Sequence, residues 1–461
     1  MGKSLIRKWY VWLVVLLVIA AGARYLYIAS GSWYWGDRKP YLQRPAPTEI
    51  TVRWRTSEEV TAWLKYGPAP GTWAHTITEA EPAHEHEVRV TGLQPDTLYY
   101  YAVGSGETVF FGDEEIAWFR TFPESGVDKP ARMWFLGDPG KPGDIARGVR
   151  DAARAWMKEN SPTGNDRPDI LILLGDNAYT SGTNRQYQAA IFDIYADVLP
   201  HIPCLSTQGN HDSRRWAYFE IFTFPEQGES GGVPSGSPHY YAVDYGHLHF
   251  VCLDSEEGDL APNGPMLAWL KKDLAANRLP WLIAFWHHPP YSRGSHDSDD
   301  PGDSGGRMVA MREHFMPVLE AAGVDLVVTA HSHTYERSFL LDGHYGWMKD
   351  LKAQMILDSG DGRPAGDGPY RKDSAGLASH QGAVHVVIGS SSKVDDGPFD
   401  HPVMATGMAE AGSLVVDVRG LKLEAVFIDP HGRIRDHFTL LKGPVDDTGV
   451  RLETSSAEGP E

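Results

Sequence analysis

The chain has 461 residues, of which 42% are apolar, a composition typical of a globular protein of about three domains. Its 61 acidic residues stand against 42 Lys and Arg, and the formal net charge of −19 argues against a partner held through nucleic-acid phosphates. The two Cys, Cys204 and Cys252, exclude a disulfide-rich scaffold and are expected to be buried free thiols. A metal in this chain would therefore need ligands from its 20 His and its carboxylates.

Residues 1–30 are predicted to be a signal peptide or a signal-anchor helix. Basic residues at the start precede an uncharged apolar run over 9–23, which nearly continues to residue 29. The run has the length of a signal-peptide core, its continuation approaches a membrane span, and residues 21–23 have the small residues of a cleavage site. Cleavage and retention both stay open, with an ordinary buried helix as a third alternative. If uncleaved, residues 9–29 tether the protein to a membrane, and both export interpretations place the rest outside the cytoplasm, in the periplasm, on the cell surface or secreted.

Three further segments flank the largest part of the chain. Residues 31–45 show no hydrophobic period and are expected to be a linker. Over 46–123, short alternating segments are broken by turns, which predicts an all-β sandwich. Its Leu-x-Pro-x-Thr-x-Tyr-x-Tyr run over 93–101 resembles the tyrosine corner of a fibronectin type III domain. Residues 443–461 are polar, acidic and aperiodic, and are expected to be a disordered tail.

Residues 130–442 alternate apolar runs with helical patterns, which predicts an α/β domain of layered β-sheets flanked by helices. The predicted helices cover residues 144–158, 266–274 and 308–322. Predicted strands at 133–136, 170–174, 202–206, 281–285 and 326–328 are each followed by a short polar signature.

Those signatures carry the chemistry of the chain. They are Gly137-Asp138-Pro139-Gly140, Gly175-Asp176-Asn177-Ala178-Tyr179, Gly209-Asn210-His211-Asp212, Trp286-His287-His288-Pro289-Pro290-Tyr291 and Ala330-His331-Ser332-His333-Thr334-Tyr335-Glu336-Arg337. Because ligands bind beyond the carboxyl ends of strands in an open α/β sheet, the signatures predict one convergent site. Carboxylate oxygen and imidazole nitrogen suit Fe, Zn or Mn, and their number suits two metals sharing a bridging Asp.

The signatures resemble the metal motifs of the calcineurin-like metallophosphoesterases, and most closely those of the purple acid phosphatases, which also have a fibronectin-like N-terminal domain. Asp138-Pro139-Gly140 lacks the histidine of the more common Asp-x-His motif, and Tyr179 stands where purple acid phosphatases place a tyrosinate on ferric iron. Two positions depart from the family pattern: Asp212 replaces the Glu common in plant members, and Ala330 replaces the usual Gly.

The resemblance implies a dinuclear centre, with Fe(III) at the Tyr179 site and Fe(II), Zn(II) or Mn(II) at the second site. The first metal would be held by Asp138, Asp176, Tyr179 and His333. The second would be held by Asp176, Asn210, His287 and His331, with Asp176 bridging. His211 would face the phosphoryl group with Asp212 orienting it, and His296 would be a second substrate histidine, for which a solvated loop residue is the alternative.

The implied function is an exported acid phosphatase that hydrolyses small phosphate monoesters by attack of a metal-bound hydroxide, with no specific nucleic-acid binding. A phosphodiesterase or nucleotide phosphohydrolase with the same dinuclear site is the alternative, and a non-catalytic surface binding protein is a remote one. The loops expected to wall the pocket, residues 213–240, 293–306 and 341–382, contain no motif that separates monoesters from diesters.

Overall fold

The computed structural model describes residues 2–113, 116–161 and 166–444. Its first element is helix α1, Gly2–Ala29. Within it, Trp9–Leu26 has a mean hydropathy of 1.8 and no buried residue, and among the described residues it is the one helix long and apolar enough to cross a membrane. The predicted tail over 443–461 lies outside the described residues from residue 445 onward.

An all-β domain follows the helix. Its strands β1 to β8 are, in chain order, Arg38–Gln43, Glu49–Val60, Ala62–Gly67, His75–Thr78, Ala83–Thr91, Leu98–Ser105, Thr108–Phe111 and Ala117–Arg120. One sheet has the order β1-β2-β5, and a second has the order β4-β3-β6-β7 with β8 paired to β6. Side chains from both sheets, such as Trp54 of β2 and Leu64 of β3, share one buried core. The all-β domain is confirmed, while its assignment as fibronectin type III stays a prediction.

The expected linker over residues 31–45 is wrong in its second half. Arg38–Gln43 is strand β1 and pairs antiparallel with β2, with Tyr41 opposite Arg53 and Leu42 opposite Val52. Tyr41 and Leu42 are buried, so tertiary packing orders a segment that has no period of its own.

The larger domain is built on strands β9 to β24. In chain order these are Ala131–Leu136, Ile170–Leu173, Cys204–Ser206, Tyr241–Tyr245, Leu248–Cys252, Trp281–Phe285, Leu326–Thr329, Tyr335–Ser338, Leu340–Leu341, Ile356–Asp358, Tyr370–Lys372, Val384–Ile388, Met404–Met408, Ser413–Arg419, Lys422–Ile428 and Ile434–Lys442. One sheet has the order β11-β10-β9-β22-β23-β24-β19, the other has the order β12-β13-β14-β15-β20-β16-β21, and β17 and β18 form a separate ribbon. The two sheets share one core, to which β10 contributes Ile172 and β14 contributes Phe285.

Helices cover the outer faces of this sandwich. After α1, helices α2 to α7 are Asp144–Glu159, Asn184–Tyr187, Ala217–Ile221, Pro265–Ala276, Arg307–Ala310 and Met316–Ala321. The predicted helices over 144–158 and 266–274 correspond to α2 and α5. The single helix predicted over 308–322 is instead α6 and α7 joined by a π-helical turn, Met311–Phe315. Pro317 at the start of α7 has no N–H to donate, so the regular hydrogen-bond ladder is interrupted there.

Strand direction explains where the polar signatures meet. β9, β10 and β11 run parallel in the first sheet, and β13, β14, β15 and β20 run parallel in the second. Their carboxyl ends therefore lie at common edges, where the loops after the strands converge. Cys204 in β11 and Cys252 in β13 are buried and free, as expected.

Candidate metal centre

Three of the candidate ligands stand where the backbone leaves its strand in the left-handed region. Asp138, Asp176 and His331 have φ values of 52°, 52° and 67°. A non-glycine residue in this region costs on the order of 1–3 kcal/mol, and such residues cluster at functional sites. This backbone conformation turns each side chain away from the end of its strand and towards the other two.

Two glycines of the signatures are required by close approach. A Cβ on Gly209 would lie 2.2 Å from the backbone nitrogen of Asp176 and 2.4 Å from its Oδ1. A Cβ on Gly175 would lie 2.6 Å from Nδ1 of His287. Glycine at these positions lets three neighbouring strand ends close on one point.

Asp138, Tyr179 and His333 make the first half of the centre, which we call the carboxylate–phenol group. The Tyr179 hydroxyl donates to Oδ1 of Asp138 over 2.5 Å, and Nε2 of His333 lies 3.1 Å from the same hydroxyl. Nε2 of His333 is also 3.2 Å from Oδ1 of Asp138. Asp138, Asp176 and His333 offer ligand atoms that all lie within 4.8 Å of one another.

His287, His331 and Asn210 make the second half, which we call the imidazole group. Nε2 of His287 lies 3.2 Å from Nδ1 of His331 and 3.2 Å from Oδ1 of Asn210. Nδ1 of His287 lies 2.8 Å from the Leu174 carbonyl, to which it donates. That hydrogen bond fixes the tautomer and leaves the lone pair of His287 on Nε2, facing the centre.

Asp176 lies between the two groups. Its Oδ1 is 3.6 Å from Nε2 of His287 and accepts the backbone N–H of His211 over 2.8 Å. Its ligand oxygen also lies within 4.8 Å of the ligand atoms of Asp138 and His333 in the carboxylate–phenol group. One carboxylate therefore contacts both halves of the site.

The acidic side chains are poorly compensated without a cation. Burial and the adjacent charge of Asp138 raise the pKa of Asp176 well above its usual value. Burial also opposes ionisation of Asp138, but hydrogen bonding and charge from His333 outweigh it and lower the pKa of that carboxyl. Burial and both carboxylates raise the pKa of Tyr179 well above its usual value. A metal ion would stabilise all three anionic forms.

The imidazoles are held neutral or paired. Burial, together with the neighbouring His288 and His287, lowers the pKa of His331 well below its usual value, which leaves a free lone pair. Burial acts in the same direction on His333, but its hydrogen bond to Asp138 outweighs this and raises the pKa of that imidazole.

The donor set fits metal ions. It combines carboxylate, phenol and amide oxygens with imidazole nitrogens, the ligands that Fe, Zn and Mn take in proteins. Their inward-facing lone pairs and the crowding of two carboxylates also favour cations.

The remaining predicted residues lie at the rim. Nδ1 of His211 is 2.7 Å from the Thr180 carbonyl, and its Nε2 is 3.8 Å from Oδ2 of Asp176. The ring of His296 stacks on His331 with centroids 3.9 Å apart, and its Nδ1 is 2.9 Å from Oδ1 of Asp303. The structure thus brings both histidines to the same centre.

The expected role of Asp212 in orienting the His211 ring needs correction. The His211 ring is held by the Thr180 carbonyl instead. The Asp212 carboxylate is turned the other way, where it accepts the Tyr187 hydroxyl over 2.6 Å and the backbone N–H groups of Asn177 and Gly209. Asp212 therefore ties the second and third signatures together at the backbone.

Three residues near the centre were missed by the sequence analysis. Oδ2 of Asp395 is 2.6 Å from Nδ1 of His333, the ring nitrogen that faces away from Asp138. The Ser304 hydroxyl is 2.6 Å from Nε2 of His331. The Lys393 ammonium lies 5.5 Å from the centroid of the Tyr179 ring. All three come from loops without a motif, so no sequence signal could have identified them.

Comparison with known proteins agrees with this geometry. Residues 131–335 match the family model described as calcineurin-like phosphoesterase, and residues 39–121 match that of the purple acid phosphatase N-terminal domain. Purple acid phosphatase 15 of Arabidopsis thaliana is 30% identical over 310 residues, which are 60% of this chain and 53% of that protein. Purple acid phosphatase 23 of the same plant is 27% identical over 397 residues, 78% of this chain and 75% of that protein.

Solved structures share the fold. The purple acid phosphatase PPD1 from yellow lupin seeds superposes with a TM-score of 0.63 at 17% identity, covering 91% of this chain and 77% of that one. PhoD superposes with a TM-score of 0.61 at 14% identity, covering 94% of each chain. The larger domain, which contains the matched residues 131–335, has the calcineurin-like phosphoesterase fold. Within that class the chain is a purple acid phosphatase-like protein, as the resemblance implied. The chain spans about half the length of purple acid phosphatase 15 of Arabidopsis thaliana.

Proposed function

We propose that this protein is an exported, metal-dependent phosphoesterase that hydrolyses small phosphate monoesters at a dinuclear centre. The observation that carries the proposal is the position of Asp176, whose carboxylate lies within 4.8 Å of the ligand atoms of Asp138 and His333 in one group and 3.6 Å from Nε2 of His287 in the other. A shared carboxylate between an oxygen-rich and a nitrogen-rich half is the arrangement that a bridged pair of metals requires.

The residues divide between the two proposed ions by chemistry. Asp138 and Tyr179 offer hard anionic oxygens and His333 an imidazole nitrogen, and together with the shared Asp176 they suit Fe(III). Asn210, His287 and His331 offer one amide oxygen and two imidazoles and suit Fe(II), Zn(II) or Mn(II). When bound, such a pair supplies Lewis acidity and lowers the pKa of water.

The rim histidines act on the substrate in this proposal. His211 is only partly buried, burial lowers its pKa, and its Nδ1–H donates to the Thr180 carbonyl, so at neutral pH its Nε2 is an acceptor beside Asp176. His296 lies over His331 and is oriented by Asp303. With a proton on Nε2, either ring can donate to a phosphoryl oxygen or to the leaving group, and the neutral His211 ring can accept a proton there.

The other segments have proposed roles that fit this activity. The apolar helix over Trp9–Leu26 would direct the domain across a membrane, either as a cleaved signal or as an anchor. The fibronectin-like sandwich over residues 46–123 would be a supporting domain for the catalytic unit at 130–442. Its contact with that unit includes the Tyr101 hydroxyl, which donates to the Pro200 carbonyl over 2.8 Å.

Metal analysis combined with a panel of phosphate monoesters and diesters tests the proposal. We expect two metal ions per chain, faster turnover of monoesters, and a violet colour from charge transfer between the Tyr179 phenolate and ferric iron. Tyr179→Phe should remove the colour. Tyr345→Phe is the matched control, since that phenol also donates to a buried carboxyl, Glu320, but outside the centre. A colourless but active enzyme would instead indicate a Zn or Mn phosphoesterase, and faster diester turnover would indicate a phosphodiesterase.

A further inference from the structure

Helix α1 has aromatic side chains near both ends of its apolar span. Trp9, Tyr10 and Trp12 near one end are 62%, 57% and 67% exposed, and Tyr25 near the other end is 59% exposed. The 18 residues of Trp9–Leu26 measure about 27 Å as a helix, close to the roughly 30 Å hydrocarbon core of a bilayer. Aromatic rings at both ends of such a span are typical of a helix that stays in the membrane, where they sit at the two interfaces.

More exposed aromatic side chains lie beside the outer end of this helix. Trp33 and Trp35, just after α1, are 60% and 72% exposed, and Trp216 at the start of α4 is 46% exposed. The rings of Tyr25 and Trp216 meet edge to face with centroids 5.5 Å apart. We call Tyr25, Trp33, Trp35 and Trp216 the aromatic surface.

The end of α1 is packed on the catalytic domain. The Ser32 carbonyl accepts the side-chain amide of Asn184 in α3 over 3.4 Å. A Cβ on Gly31 would lie 2.6 Å from Cβ of Arg215, so the backbone after α1 presses directly against the loop that follows His211. Direct contacts therefore hold the segment just after α1 against the catalytic domain.

We propose that the aromatic surface rests in the headgroup region of the bilayer that α1 crosses, and that it holds the His211 loop there. The partner is a lipid surface, because the patch continues directly from a membrane-length helix. Exposed basic side chains accompany it: Arg24 on α1, Arg185 in α3 and Arg214 in the loop. In a chain of net charge −19, basic side chains at this position suit anionic headgroups.

The surface lies close to the metal centre. Nη1 of Arg214 is 2.9 Å from the Thr180 carbonyl, and Nδ1 of His211 lies 2.7 Å from the same oxygen. His211 and Trp216 are five residues apart, which spans at most about 17 Å even in a fully extended chain. Phosphate esters at the membrane surface would therefore be within reach of the metal centre. This consequence rests on the proposed phosphoesterase function.

A site-specific fluorophore tests the contact in the full chain, reconstituted in phosphatidylcholine–phosphatidylglycerol vesicles. Trp216→Cys and Arg214→Cys accept a thiol-reactive label, because the native Cys204 and Cys252 are buried. Leu357→Cys is the matched control, since Leu357 is also 46% exposed but lies against Gly382, near the amino end of β20. Lipids with a nitroxide near the headgroup should quench the labels at 214 and 216 several-fold more than the label at 357.

Two results would overturn the proposal. One is equal quenching at all three positions, and the other is recovery of the mature protein from its native host without residues 2–23. The label at 214 keeps Trp216 intact, so the test survives if the Trp216 variant does not fold. Quenching does not depend on turnover: a quenched but inactive protein would contradict only the proposed function.

Discussion

Buried carboxylates have different partners at the two ends of strand β15. Asp325, just before the strand, is fully buried, and its carboxylate lies 2.7 Å from the Lys372 ammonium and 3.0 Å from that of Lys442. At the other end, the neighbours of the buried Asp138 and Asp176 are imidazoles, backbone N–H groups and a phenol. At one end, two lysines neutralise the buried carboxylate. At the other end, two buried carboxylates lie together without a lysine or arginine partner among the described ion pairs.

A fourth buried carboxyl is neutralised in another way. Glu320 in α7 accepts the Gly343 backbone N–H and the Tyr345 hydroxyl, and burial raises its pKa to about 8. At neutral pH this side chain is neutralised by a proton. Because burying an unpaired charge is costly, lysine, proton and metal are three ways to meet the same requirement. A metal requires carboxylates that no lysine or arginine neutralises, and among the described residues the ion-pair partners of Asp138 and Asp176 are histidines.

The strongest test of this contrast is Asp176→Asn. Asparagine keeps the shape of the side chain but removes the charge shared by the two ligand groups. We expect loss of bound metal and a fall in turnover of at least about 10³-fold, with the fold intact. Metal content per chain and monoester hydrolysis measure the effect. Retained metal and activity would show that Asp176 does not bridge.

Asp325→Asn should lower stability and leave the metal centre unchanged. It leaves Lys372 and Lys442 buried without their counter-ion, which costs about 3–5 kcal/mol of stability. Metal content and turnover per folded molecule should be unchanged. Urea unfolding measures the stability. Asp373→Asn is the control: Asp373 follows Lys372 in the chain but is exposed, so its substitution should change the free energy of unfolding by no more than about 0.5 kcal/mol. A loss of metal on Asp325→Asn would mean that the two ends are coupled.

Asp395→Asn should weaken one half of the centre without emptying it. Oδ2 of Asp395 lies 2.6 Å from Nδ1 of His333 and orients the ring towards Asp138. Removing such a partner typically reduces metal affinity by about 10–100-fold. Metal titration with a competing chelator measures this, and Asp396→Asn is the matched control next to it in the chain. Equal affinity in both variants would show that the hydrogen bond does not orient His333.

The sequence could predict the parts of the site that come directly after apolar strands. Asp138, Asp176 and His331 each follow a run that is recognisable as a buried strand, and the geometry of parallel strands brings their ends together. The structure indeed places these side chains at one centre. Glycines such as Gly209 belong to the same signatures because the strand ends approach so closely.

Other parts depend on partners distant in the chain. Asp395 meets His333 across a loop with no pattern, and Asp212 binds Tyr187 although His211 is its sequence neighbour. Strand β1 forms because Tyr41 and Leu42 are buried, although their segment has no period. Hydrophobic periodicity reports which face of a segment is buried, and it carries no information about which residue from elsewhere will cover it.

The last test concerns the carboxyl neutralised by a proton, Glu320, and measures how stability depends on pH. Glu320 has a folded pKa of about 8, above the ordinary value near 4.3, so between these pH values the folded protein holds a proton that the unfolded chain has lost. Stability should therefore fall as pH rises through this window, by up to about 1.4 kcal/mol per pH unit from this group alone. Glu320→Gln keeps an acceptor for Gly343 and Tyr345 but cannot titrate, so its unfolding free energy should depend less on pH.

Urea unfolding between about pH 5 and about pH 8 measures that slope. Glu313→Gln, an exposed glutamate in the preceding turn, should leave the slope unchanged. An unchanged slope in Glu320→Gln would mean that the carboxyl is ionised when folded. It would then need a cation, as we propose for Asp176. Asp342 and His380 would be the side chains to examine, since their ligand atoms lie within 4.8 Å of that of Glu320.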